Sequence, residues 1–137
     1  MGGDAPCGTM DAVVTAAPYS DRFLDHVAHP RGRGDLPAAT HRGEALDDAC
    51  GDRLAFELRV EGGVVAAARF RVEGCPGAIA VGSAVASLLP GRPAVATALS
   101  SADVEAALGG VPPAKRHALR LAAEALAAAL RPRGAAT

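Results

Sequence analysis

Two short motifs, Cys50-Gly51-Asp52 and Gly74-Cys75-Pro76, enclose the most regular part of this 137-residue chain. Between them lie two alternating runs joined by Gly62-Gly63, the pattern of a hairpin that leaves and returns to the same end of a sheet. Cys50 and Cys75 then meet at that end, with the Asp52 carboxylate beside them. Two soft thiolates and one harder oxygen are most of a soft-metal site. Taken singly the motifs are weak, because Cys-Gly-Asp is a tripeptide that chance supplies often.

The elements that must position these groups can be read along the chain. Residues 1–17 mix Gly, Ala, Pro and small polar residues without a period and read as a flexible extension that carries Cys7. From Ser20, a natural N-cap, Tyr19, Phe23 and Val27 recur at helical spacing. Residues 35–49, polar and containing Gly and Pro, read as a loop or weak strand. Arg53 to Val60 alternates, with Leu54, Phe56, Leu58 and Val60 on one face. After the glycine pair, Val64, Ala66, Ala68, Phe70 and Val72 are expected on the face opposite Arg69 and Arg71.

Pro76 suits the first position of a helix over 76–89. That makes Cys75 its N-cap, where the helix dipole is expected to ease ionisation of the thiol. The helix is small-residued and apolar almost all round, so it belongs against the sheet. A short helical piece is expected after Pro93. Ser100 and Asp103 form a capping box for a helix that Gly109-Gly110 closes. Pro112-Pro113 opens the last helix, whose apolar stripe is Leu119, Ala122, Ala123, Leu126 and Leu130. His117 lies roughly opposite that stripe, so it is not an ordinary core histidine; a surface imidazole is the competing assignment.

Composition narrows the class. The chain is half hydrophobic but only 3% aromatic, so its core rests on Ala, Val and Leu at close backbone approach. The net charge of −1, with Lys115 the sole lysine, leaves no electrostatic footprint for nucleic acid. Three cysteines without a secreted disulfide pattern suit a reducing cytoplasm. No signal peptide and no run long enough to span a bilayer is read, so neither a membrane nor nucleic acid is expected as a partner.

The motifs also occur in a telling order: Tyr19 through Leu24-Asp25-His26 and Pro30-Arg31, then Cys50-Gly51-Asp52, the hairpin, Gly74-Cys75 with Ala78-Ile79-Ala80, and Val111-Pro112-Pro113-Ala114-Lys115-Arg116-His117 before an Ala-rich helix. This order resembles the IscU/NifU N-terminal type of iron-sulfur cluster assembly scaffold over residues 18–131, with 132–137 as a tail. The interval from Cys75 to His117 is similar to the IscU branch rather than the zinc-binding SufU branch, which carries an insertion there.

The resemblance implies an α+β fold with a small three-stranded antiparallel sheet packed against helices. The third strand would fall before Cys50. It implies Cys50, Asp52, Cys75 and His117 as ligands of iron or an iron-sulfur cluster, a two-iron two-sulfur cluster first, with zinc as another occupant. It implies a carrier rather than a conventional enzyme. The implied partners are a cysteine desulfurase, an Hsp70-type chaperone with its J-type co-chaperone, and apo iron-sulfur proteins. Val111, Pro112, Pro113, Ala114 and Lys115 resemble the family's chaperone-binding segment, inexactly at Val111 and Ala114.

One departure is chemically large. The family has a third cysteine immediately after this histidine, and here the position is Ala118. Alanine neither ligates metal nor accepts sulfane sulfur, so persulfide acceptance is expected to be impaired or altered. Asp48-Ala49 stands where the family often has Asn-Pro. The alternative is a zinc or iron binding module that has lost scaffold activity and serves regulation or interaction. Thiol catalysis by Cys75 with His117 as base finds no oxyanion device or substrate pocket in the sequence.

Overall fold

The computed structural model describes residues 19–47, 49 and 51–131. The expected extension, with Cys7, and the expected tail lie outside the described residues, as does Cys50. Among the described residues the architecture is α+β: one three-stranded antiparallel sheet and four α-helices. They are α1 (Asp21–Ala28), β1 (His41–Asp47), β2 (Asp52–Glu61), β3 (Val64–Glu73), α2 (Pro76–Leu88), α3 (Ser101–Ala107) and α4 (His117–Ala129), in the sheet order β1-β2-β3.

The strand that periodicity does not reveal, and that the resemblance places before Cys50, is β1, paired with β2 from His41↔Leu58 to Asp47↔Asp52. Gly62 and Gly63 both take positive φ, 61° and 77°, as a tight hairpin requires. Along β2 the alternation holds, with Leu54, Phe56 and Leu58 fully buried. Along β3 it changes phase: Val65 is buried whereas Val64 and Ala66 are exposed. The cause is a register shift between Arg59 and Val60, where Arg59 faces Ala67 and Val60 faces Val65, leaving Ala66 as the extra residue of a bulge.

The outer edge of β3 is held by loops. Phe70 donates its N–H to the Gly32 carbonyl and accepts one from Gly34, at 2.8 and 2.9 Å, and Val65 donates to the Arg92 carbonyl at 2.9 Å.

The helices form as their termini dictate. Ser20 caps α1 by accepting the Phe23 N–H at 2.9 Å. Ser100 and Asp103 form the capping box of α3. Cys75 stands at the N-cap of α2 with Pro76 in its first turn. The piece after Pro93 is a 3-10 turn, Ala96–Ala98. The last helix differs from expectation: Pro113–Lys115 is a separate 3-10 turn, and α4 begins at His117. Its buried face is Ala118, Leu119, Leu121, Ala122, Ala125, Leu126 and Ala129, while Ala123 turns to solvent. The shorter helix, started four residues later, sets that face.

Small residues determine how closely the layers meet. A methyl built on Gly82 would lie 2.6 Å from the Phe70 ring, and one on Gly43 would overlap the backbone of Ala128 and Ala129. Between α1 and α2 the contact is polar: buried Ser83 accepts the Arg31 N–H at 2.7 Å, and its Oγ lies 2.6 Å from His26 Nδ1. No helix among the described residues is long and apolar enough to cross a membrane.

Because Gly43 touches helix backbone rather than a movable side chain, Gly43→Ala cannot be absorbed by a rotamer change. We expect a loss of about 3 kcal/mol or more, the upper end for overpacking. Urea unfolding measures it, and an unchanged midpoint would show that α4 does not press on β1 there.

Candidate metal centre

Three elements end at one place. Asp52 opens β2 on the same face as Leu54 and Phe56, Cys75 caps α2, and His117 is the first residue of α4. Asp52 is 1% exposed and Cys75 2%. A carboxylate buried so deeply requires polar partners. The Cys75 Sγ donates to Asp52 Oδ2 at 3.3 Å, and His117 Nε2 lies 3.4 Å from the same oxygen and 3.9 Å from Cys75 Sγ.

Glycine makes this approach possible. Gly74 takes a φ of 156°, and a methyl there would fall 2.5 Å from Asp52 Oδ1, so the β3–α2 connection passes directly against the carboxylate. On the other side of Cys75, a methyl on Gly77 would lie 3.1 Å from the Lys115 side chain, whose stem covers the first turn of α2. Lys115 is 5% exposed, not the exposed lysine that a Pro-started helix suggests.

The electrostatics of Cys75 reverse the expectation drawn from its N-cap position. Burial pushes the thiol above its ordinary pKa, and the Asp52 carboxylate adds to the rise. The Ala78 amide and the Lys115 ammonium pull downward without overcoming it. The helix terminus is as expected, but removal from water outweighs its field. Tyr19, in edge-to-face contact with Phe23, is near enough that burial and the Cys75 charge raise its phenol.

Bonds of about 2.0–2.3 Å from a tetrahedral ion put neighbouring N, O and S donors about 3.4–3.6 Å apart. The spacings of 3.3, 3.4 and 3.9 Å lie close to that range, and the three ligand atoms all lie within 4.8 Å of one another. Among the described residues, Asp52, Cys75 and His117 could thus supply three ligands to a metal ion. Cys50, two residues before Asp52, lies outside the described residues.

Of the segment 111–115, Val111, Pro112 and Lys115 are buried whereas Pro113 and Ala114 are exposed. Ala118 is fully buried within the hydrophobic core. Gly74, Gly77 and Tyr19 were not singled out by sequence as parts of the site. A glycine on each side of Cys75 was the available signal for close approach.

Residues 18–132 match the family described as the NifU-like N terminal domain. The chain is 37% identical over 116 residues to the iron-sulfur cluster assembly scaffold protein IscU of Aquifex aeolicus, covering 82% of this chain and 74% of that one. To the protein of the same description in Azotobacter vinelandii it is 34% identical over 118 residues, covering 82% and 91%. It is 41% identical over 111 residues to the bifunctional protein NifU/MnmA of Rubrobacter xylanophilus, but the match spans only 23% of that longer protein. A nitrogen-fixing NifU-like protein (N-terminal) from Brucella abortus shares the fold, with a TM-score of 0.55 at 18% identity over 79% of this chain and 85% of that one. By sequence and by fold, this chain belongs to the NifU-like N-terminal domain family.

Proposed function

We propose that this chain is an iron-sulfur cluster assembly scaffold, holding iron or a two-iron two-sulfur cluster as cargo at Cys50, Asp52, Cys75 and His117. The observation that carries the reading is the convergence of Asp52, Cys75 and His117 close to tetrahedral spacing, in a chain whose relatives are named as such scaffolds. The thiolates bind most firmly. The carboxylate oxygen is the hard, easily displaced ligand at which cargo release begins. The protein acts as a carrier, receiving sulfur through a cysteine desulfurase and passing cargo to apo iron-sulfur proteins. An Hsp70-type chaperone, working with a J-type co-chaperone, binds at residues 111–115.

Ala118 limits this role. With alanine at the position following His117, sulfane sulfur transferred as persulfide lacks the family's usual acceptor, so assembly is slowed more than holding. That same substitution favours a second reading, a zinc or iron module used for regulation or interaction.

Protein purified without air is expected to contain iron and acid-labile sulfide with a visible charge-transfer spectrum, all lost in Cys75→Ser and His117→Ala. Zinc alone, with no cluster formed from supplied iron and sulfide, would move the assignment to the second reading; no metal under any condition would remove the site. Ala118→Cys is expected to raise persulfide acceptance from a cysteine desulfurase, by about tenfold or more, as read by mass spectrometry of the trapped adduct. Equal labelling of both proteins would show that Ala118 is not the limit.

Metal capture should also depend on pH. Because the Cys75 thiol is raised, it stays protonated at neutral pH, and a bound metal must expel that proton. Apparent affinity should therefore increase with pH, by about tenfold per pH unit for each proton released, until the thiol ionises by itself. Competition titrations of zinc across about two pH units around neutrality would read the slope. A flat profile would contradict a protonated resting thiol.

A further inference from the structure

We propose that the metal ion enters and leaves this centre through the cavity between the end of β1 and the first turns of α4, with Glu124 and Asp47 drawing the cation in and Arg120 opposing them. The inference rests on the metal-holding reading above and names its route.

The three described donors are unequally accessible. The Asp52 side chain is 2% exposed and that of His117 19%, while Cys75 is 2% exposed. Among the described residues, the imidazole is thus the donor that solvent reaches. A cavity of about 150 Å³ adjoins it, lined by Leu46, Asp47, His117, Arg120, Leu121 and Glu124. At about 30 Å³ per water it has room for roughly five waters. A divalent ion can therefore stand there with part of its hydration shell and exchange the rest for protein donors.

A larger hollow, about 400 Å³, lies on the solvent face of the sheet, lined among others by Arg42, Glu44, Arg53 and Arg71. It contains none of the three donors. Size alone therefore does not identify the approach, and contact with His117 does.

The lining chemistry fits a cation. Two carboxylates and one guanidinium line it, and a low-dielectric wall, buried Leu121, focuses their field. The Arg120–Glu124 pair is 4.0 Å apart with both side chains largely exposed, a weak contact from which either group can swing. Asp47 is more fixed, because one carboxylate oxygen accepts the Ala49 N–H at 3.1 Å. Leu46, half exposed, lines the cavity without supplying a ligand.

A doorway and a ligand leave different kinetic signatures. Narrowing a doorway slows entry and exit by the same factor and leaves the equilibrium constant alone, whereas losing a ligand mainly speeds exit. Cobalt(II) is a suitable probe, since thiolate ligation gives it a visible spectrum that stopped-flow can follow.

Glu124→Lys is expected to slow cobalt loading about 3- to 10-fold at low ionic strength, with the difference shrinking at about 0.5 M salt. Glu44→Lys, the same charge change outside the cavity, should leave the rate unchanged. Leu46→Trp should slow loading and removal by chelator equally, at unchanged stoichiometry. If cobalt binding is lost in Cys75→Ser yet both cavity variants load at the wild-type rate, the route is wrong and the site stands. If cobalt does not bind the wild-type protein, or binds Cys75→Ser just as well, the site assignment fails and the route with it.

Discussion

A carboxylate at a core-facing position of a strand is the constraint to which this structure answers. Asp52 continues the row of Leu54, Phe56 and Leu58, so its side chain is carried inward with them. Buried alone, it would cost several kcal/mol. Its relief comes from groups delivered by two other elements, the Cys75 thiol at one helix start and the His117 imidazole at another. The relative placement of β2, α2 and α4 therefore matters more here than any local motif.

That placement is set by close approach at a few glycines. Gly43 admits the end of α4 to β1, Gly82 admits the Phe70 ring to α2, and Gly74 admits the carboxylate itself. The core's bulky side chains, Phe23, Phe56 and Phe70, are fully buried, and the layers close where glycine leaves room for a ring, a carboxylate or a helix backbone. The donor atoms are brought to bonding distances by the same close packing.

Much of this was legible in the sequence where periodicity is local. The β2 alternation, the glycine turn, the capping box of α3 and the Cys75 N-cap follow from neighbours within a few residues, and all are present. The phase of β3 was not legible, because the bulge at Ala66 is decided by pairing across the hairpin. Nor was β1, whose Gly43 and Ala45 look like loop text until α4 and β2 surround them. Spacing set His117 apart from the apolar stripe of its helix, and motif order nominated it as a ligand. Its 3.4 Å approach to Asp52 depends on the 3-10 turn that delays the start of α4. The direction of the Cys75 shift was misread for a similar reason: a helix terminus is visible in sequence, but the depth of burial is a property of the assembled layers.

The Ser83 contact between α1 and α2 includes a titratable partner. The hydroxyl oxygen accepts the Arg31 N–H and lies 2.6 Å from His26 Nδ1; with one hydrogen and two lone pairs it can serve either neutral tautomer of the imidazole. Burial, helped by the Arg31 charge, depresses the His26 pKa and favours the neutral ring. Below the unfolded value of about 6.5, the unfolded chain takes up a proton that the folded contact resists, so the contribution of this contact to stability declines as pH falls. A serine enclosed by small residues thus makes the attachment of the first helix an acid-labile joint.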